Sequence, residues 1–293
     1  MSRHQPSPPA PGPAHPAGPG APAVVLINPN TSAATTRTMT AIARRTLAAS
    51  GLRVRGVTVA AGPAMLTDPA ALREAAPHVL AAAREALASG DCAALIVAAF
   101  GDPGVAELRA WLGEADGGTP ESPPGPGPGP RGTADGPGPV PLPAPVTLPV
   151  PLPVVGIGEA ALAEAAEGGR RFGIATTTPR LAAAIDAHVA RLGLAAPYTG
   201  TRFTSGAPEH LAARPDALLA ALTAAARACV VRGGAEAVVI GGGPLGDAAD
   251  ALRTRLAVPV VAPVPAACRQ VARLLGVPLE DPSDDTPGTA PTP

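Results

Sequence analysis

Lysine is absent from this chain. All 22 basic residues among its 293 are arginine. That absence excludes a lysine Schiff base, so pyridoxal chemistry in its usual mode has no anchor. It also excludes a Walker-type phosphate lysine. Cysteine is scarce and odd in number. Cys92, Cys229 and Cys268 form no CxxC pair, which argues against a disulfide framework or a thiol-ligated zinc site. The five histidines show no ligand spacing, so no metal is expected. A net charge of −1 leaves no electrostatic footprint for nucleic acid or a membrane surface. No apolar run reaches the roughly 18–20 residues that span a bilayer. The opening MSRHQPSPPAPGPAHPAGPGAP lacks an apolar h-region and does not read as a secretory signal. The expectation is a soluble, cytoplasmic protein without a cofactor.

What is present divides cleanly. Residues 1–22, 115–152 and 280–293 are rich in Pro and Gly, poor in donors, and read as a disordered tail, a disordered insertion and a second loose tail. The rest alternates apolar runs with Ala-rich helical stretches. Strands are expected at 23–28, 53–59, 93–99, 153–156, 171–176, 198–203, 236–241 and 258–261. Helices are expected at 33–49, 69–89, 104–113, 158–168, 179–192, 214–232, 245–256 and 263–276. Several strands are near-continuous apolar runs, as parallel strands buried on both faces are. Strand–helix alternation implies right-handed βαβ units. The fold class is therefore α/β, in two similar lobes of mainly parallel sheet flanked by helices. The first lobe covers 23–169, the second 170–279, and the last strand and helix have the option of packing on the first. A cleft is expected between the lobes.

Ligands of such sheets bind beyond the carboxyl ends of the strands. Four loops fall there. NPNTS places Asn28, Asn30, Thr31 and Ser32 at a helix start, either as a plain turn with an N-cap or as a cradle for a carboxylate. AAFGDPG carries Gly101 and Gly104, with Asp102 either capping the helix at 104–113 or acting on a ligand, and with Pro103 at the first helical position. ATTTPR offers three hydroxyls, Thr176, Thr177 and Thr178, as a neutral anion cradle or as one cap and two bystanders. IGGGPL exposes Gly241, Gly242 and Gly243, whose backbone N–H groups suit an oxyanion, or which simply permit a tight turn. Glu159 lies at a further strand-to-helix turn, facing the cleft or stabilising the helix dipole. The glycine loops do not have GxGxxG spacing, so a dinucleotide site finds little support.

The opening VVLINPNTS, with ALIVAAFGDPG, AVVIGGGPLGD, GPAMLTDPAAL and VVGIGEAAL, resembles the hydantoin racemase (HyuE) branch of the Asp/Glu racemase superfamily. The resemblance covers about 23–113 and 153–276. It implies cofactor-independent chemistry on a small amino-acid-like or hydantoin-like substrate, with the NPNT and TTT loops facing it. Racemising members carry a cysteine in each of two loops, one as base and one as acid. Here those positions read Ala99 and Gly242. The three cysteines do not replace them. Cys92 sits at the far end of its strand, and Cys229 and Cys268 lie in helices as small buried hydrophobes. Among the histidines, His4 and His15 fall in the tail, His78 and His188 on helix surfaces, and His210 in a loop.

Two function classes follow. One is an isomerase with altered acid–base residues, in which Asp102 is the first replacement base and Glu159 the second. The other is a catalytically inactive binding or regulatory protein that keeps the carboxylate cradle. Both take a small carboxylate-bearing molecule. Neither involves nucleic acid or membrane, and self-association into a homo-oligomer is compatible with both.

Overall fold

The computed structural model describes residues 22–113 and 152–279. Its first half runs β1 (Ala23–Asn28), α1 (Ala33–Thr46), β2 (Arg53–Thr58), α2 (Pro69–Leu87), β3 (Cys92–Val97), α3 (Val105–Trp111), β4 (Val154–Gly156) and α4 (Ile157–Ala166). The second half runs β5 (Phe172–Thr176), α5 (Ala182–Arg191), β6 (Tyr198–Phe203), α6 (Pro208–Ala212), α7 (Pro215–Val231), β7 (Ala237–Gly241), α8 (Gly246–Arg253), β8 (Val260–Val261) and α9 (Pro263–Leu274). Each half forms a four-stranded sheet. The orders β2-β1-β3-β4 and β6-β5-β7-β8 match strand for strand, and every pairing is parallel. The expected two-lobed α/β fold is what the chain adopts.

The central strands explain the apolar runs. In β1 and β5 all residues are buried, so neither face needs a polar alternation. Val24 and Leu26 point to one side of the first sheet, and Phe172 and Ile174 to one side of the second. These side chains meet in a single core with Met39 and Ile42 of α1, Ile157 and Leu162 of α4, and Val264 and Val271 of α9. The two lobes therefore share a hydrophobic interior. On its outer face the first sheet packs Val25, Ile27, Leu95 and Val97 against Val79 of α2 and Leu108 of α3. The second packs Val238 and Ile240 against Leu222 of α7 and Leu252 of α8. Each such fully buried aliphatic side chain contributes about 1.5–3 kcal/mol relative to exposure. β8 pairs with β7 in the second sheet, whereas α9 lies against α4 and α1 of the first lobe.

The Pro/Gly segments expected to be loose fall outside the described residues except at two points. Leu152, read as part of the loose insertion, is buried in the first lobe's outer core. Pro22 is described as well, its carbonyl accepting from Arg53 N. A short helix, α6, interrupts a stretch read as loop. Its five residues start on Pro208, which supplies the fixed φ of a first helical position. Among the described residues no helix is long and apolar enough to cross a membrane.

Candidate functional site

Parallel pairing puts the loops after β1 and β3 at one end of the first sheet and those after β5 and β7 at one end of the second, and the Arg180–Asp68 pair and the approach of Gly243 to Ala98 O bring these ends together. The first loop is built around Asn28, a fully buried side chain. Its Nδ2 donates to Asn30 Oδ1 at 2.9 Å, Ser32 O at 3.1 Å and Thr36 Oγ1 at 3.0 Å, while its Oδ1 accepts from Asn30 N. Asn30 Oδ1 also accepts from Ser32 N, and Ser32 Oγ caps α1 by accepting from Thr35 N. Asn28 and Ser32 thus shape the loop rather than present free groups to a ligand. Asn30 and Thr31 are half-buried, and the Asn30 amide nitrogen and Thr31 hydroxyl make no hydrogen bond among the described residues.

In the second lobe, Thr176 Oγ1 donates to Gly241 O at 2.7 Å and lies 3.2 Å from Thr178 Oγ1. It ties the β5 and β7 loops together. Thr177 has no such partner and is half-buried. Thr204, one residue beyond β6, escaped the sequence reading. Its Oγ1 is buried without a partner, and its N–H donates to Thr176 O at 3.0 Å. An orphaned buried hydroxyl is costly, about 1–3 kcal/mol, and its place beside Thr176 marks it as a group with an unfilled acceptor or donor. A lone Thr after a strand carries no sequence signal of that kind.

The two lobes meet at the glycine loop. A Cβ on Gly243 would lie 2.5 Å from Met39 Sδ, 3.1 Å from Ile157 Cδ1 and 3.4 Å from Ala98 O. The chain segments bearing Gly242 and Ala99 are therefore neighbours across the lobe junction. A Cβ on Gly246 would lie 2.7 Å from Ile42 Cδ1. Gly242 itself is extended, with φ 172, and an added Cβ there meets only the Leu245 side chain, at 2.8 Å. The Ala99 methyl is buried. Neither position supplies an ionisable group.

Asp102 and Glu159, expected as acid–base groups, have other partners. Asp102 is buried, and its φ of 53 is the one positive value among described non-glycine residues. Its Oδ1 accepts from Gly158 N at 2.8 Å, and its Oδ2 from Glu159 N at 2.7 Å. These are the second and third N–H groups of α4, whose N-cap, Gly156, has no side chain. Asp102 therefore caps α4 from a distant loop. It does not cap α3, which starts at Val105 after Gly104, two residues later than Pro103. Glu159 Oε1 accepts from Gly156 N at 3.0 Å, and its carboxylate pairs with the Arg109 guanidinium of α3, Oε2 to NH1 at 3.1 Å.

His188 corrects the sequence reading most sharply. It is buried rather than on a helix surface. Its Nε2 lies 2.9 Å from Asp102 Oδ2, reaching across from the second lobe. Its Nδ1 lies 2.8 Å from Arg191 NH2. A signal was present in the chain. Ile185, His188 and Val189 fall at i, i+3 and i+4 of α5, all on its buried stripe.

The cysteines are far from these loops in chemistry as well as place. Burial pushes the Cys92 and Cys229 thiols up to about 11 and Cys268 to about 12, so all three stay protonated near neutral pH. Among the described residues no group of three His, Cys, Asp or Glu side chains is placed to hold a metal ion. At the mouth of the lobe junction, Arg180 NH2 of the TTT loop pairs with Asp68 Oδ2, 2.9 Å away, in the first lobe. A cavity of about 1270 Å³ opens between α1, α8 and α9, lined in part by Arg45, Arg253 and Arg273. Those arginines stand in the last turns of α1, α8 and α9 and answer the helix dipoles there.

Comparison with known proteins places this arrangement. The family model described as Asp/Glu/Hydantoin racemase matches residues 24–113 and 146–271. Among solved structures, the chain is similar to allantoin racemase from Klebsiella pneumoniae at 26% identity and a TM-score of 0.69, covering 87% of this chain and 88% of that one. It is similar to allantoin racemase from Pseudomonas fluorescens at 24% identity and a TM-score of 0.68, over 87% and 91%. Arylmalonate decarboxylase shares the fold at 19% identity and a TM-score of 0.56, over 87% and 93%. No curated protein matches the chain by sequence.

Proposed function

This chain belongs to the Asp/Glu/hydantoin racemase family, and from that premise we propose that it binds a small amino-acid-like or hydantoin-like molecule in the cleft between its lobes without two-thiol proton exchange. The family and fold support a cofactor-independent, racemase-like function, an isomerase-type protein in general terms. The likeness to the Klebsiella allantoin racemase adds cyclic ureides to the ligands worth testing, beside carboxylates.

One observation carries the reading. The cleft loops keep polar groups without partners among the described residues, the Asn30 amide nitrogen and the Thr31, Thr177 and buried Thr204 hydroxyls, while no free acid or base stands among them. Such neutral donors suit a carboxylate or carbonyl oxygen. Cofactor-independent racemisation needs a base on one face of the substrate carbon and an acid on the other. Ala99 and Gly242 can be neither. Asp102 and Glu159 are held by backbone N–H groups, His188 and Arg109.

The test combines binding with exchange. Allantoin, 5-substituted hydantoins and free amino acids are added to the full chain. At least one is expected to raise the melting temperature. In deuterated water, none is expected to gain deuterium at its chiral carbon. A second reading, catalysis by altered acid–base residues, has its own motivating observation in the buried Asp102–His188 pair beside Gly101. Deuterium exchange that Asp102→Asn abolishes would establish that reading and reject the first.

A further inference from the structure

We propose that His188 and Arg191 are positioning residues, which hold the first lobe's ligand loop in place from the second lobe. The inference rests on reading the cleft as a ligand site and says what fixes its geometry. Asp102 is the centre of the arrangement. A left-handed conformation is disfavoured for a non-glycine residue and persists where the surroundings impose it. Here the surroundings do so through three donors. Two are the Gly158 and Glu159 N–H groups, and the third is His188 Nε2.

Arg191 settles which ring nitrogen carries the proton. A guanidinium has donors and no acceptor. Its approach to His188 Nδ1 at 2.8 Å therefore requires a lone pair on that nitrogen. The proton then sits on Nε2 and points at Asp102 Oδ2. The relay runs from Arg191 through His188 and Asp102 to the start of α4, which Glu159 and Arg109 brace against α3. The packing around it leaves no slack. A Cβ on Gly156 would fall 2.3 Å from Asp102 Cγ, and one on Gly158 would fall 2.8 Å from Asp102 Oδ2, 3.1 Å from Gly101 N and 3.1 Å from His188 Nε2. Two bare glycines thus let carboxylate, imidazole and loop backbone converge. The segment Ala99-Phe100-Gly101 is fixed on one side by β3 and on the other by this relay. A change in lobe orientation must move it.

Three measurements on the full chain decide the matter. In ¹⁵N-histidine-labelled protein, the resonances lost in His188→Gln identify His188. They are expected to show a neutral ring protonated on Nε2, and a ring protonated on Nδ1 would overturn the proposal. Amide exchange of residues 98–104, Gly158 and Glu159 is expected to quicken tenfold or more in His188→Leu, with the second sheet unchanged. Equal acceleration throughout both lobes, or none, would reduce His188 to a packing residue. His188→Gln, whose amide nitrogen can still donate to Asp102, is expected to restore protection to within threefold. Should His188→Leu fail to fold, Arg191→Gln replaces it, with a threefold effect on the same amides. With allantoin as the probe, His188→Leu is expected to weaken binding tenfold and His188→Gln less than threefold, and equal affinity across the set would overturn the proposal. Failure of the unaltered chain to bind allantoin or any other member of the panel would reject the ligand reading, while the exchange and tautomer results would still judge the relay.

Discussion

The loop after β3 and the loop after β7 occupy corresponding places in their sheets, yet polar bonding fixes the first and missing side chains fix the second. Around Asp102, a carboxylate gathers two backbone donors and a histidine from the other lobe. Around Gly243, the backbone settles directly against Met39, Ile157 and the Ala98 carbonyl, because no Cβ stands in the way. A carboxylate network is directional and tolerates little loss. A glycine contact is steric and tolerates little gain. The same lobe junction is therefore sensitive to removal on one side and to addition on the other.

The largest expected effect comes from removal. Asp102→Ala takes the acceptor from three donors in a buried setting, each worth about 1–3 kcal/mol when left unsatisfied. A loss on the order of 3 kcal/mol or more is expected in urea unfolding. A loss under about 1 kcal/mol, the range of an ordinary surface substitution, would show that water or backbone movement satisfies these groups and would break the contrast.

Addition on the other side ranks second. Gly243→Val forces side-chain atoms into Met39 and Ile157, and overpacking of a filled interior costs about 1–3 kcal/mol. The loss should shrink in a Met39→Ala background, where the obstructing sulfur is gone. Two losses that simply add would mean that Gly243 is needed for its backbone conformation and not for the close approach.

The contrast extends to two of the links that cross the lobes among the described residues. His188–Asp102 is buried, whereas Arg180–Asp68 is exposed on the arginine side. Hydrogen bonding from Ala71 N, and then the Arg180 charge, hold the Asp68 carboxyl below its usual value. A depressed carboxylate contributes stability above its unfolded value of 3.8, and that contribution is lost as pH falls through the lower folded value. Melting curves of the unaltered chain and Asp68→Asn are therefore expected to differ at pH 6, to begin approaching near pH 3.8 and to converge only below the depressed folded value. Exposed ion pairs are weak, so the difference at pH 6 should be smaller than for either loop variant. A gap that persists at low pH would point to the helix cap rather than the charge.

The sequence disclosed these features unequally. Strands showed through because burial on both faces writes continuous apolar runs. β1 and β6 have the bounds read from the chain, β3 starts one residue earlier and ends two earlier than read, and β8, on an edge, keeps two of the four residues expected. A cap of α1 by Thr31 or Ser32 was legible as well, since a local cap needs only neighbours in sequence, and the structure makes it Ser32. Asp102 was legible as a capping residue, but the helix it caps lies more than fifty residues on, beyond any local signal. His188 was missed although its helical phase with Ile185 and Val189 gave it away, because imidazole is as often at a surface as in a core. Thr204 had no signal at all. Its importance comes only from a missing partner.

The smallest expected effect sharpens the contrast further. Gly242 lies between two glycines that admit no side chain, Gly241 against Thr176 and Gly243 against Met39. Yet its own φ of 172 is open to any residue, and an added Cβ meets only the Leu245 side chain, at Cδ1 and Cγ. Gly242→Ala is therefore expected to change stability by no more than about 0.5 kcal/mol, in contrast to Gly243→Val. The same tolerance means that a thiol fits there. The double variant Ala99→Cys with Gly242→Cys should fold and place two thiols in neighbouring loops of the lobe junction. If the cleft binds a racemisable ligand, that variant is expected to exchange deuterium at the ligand's chiral carbon where the unaltered chain does not. Exchange by neither protein, despite measured binding, would mean that these two loops do not flank the ligand carbon. A loss of stability at Gly242→Ala as large as at Gly243→Val would mean that the whole β7 loop, and not one residue of it, depends on bare backbone.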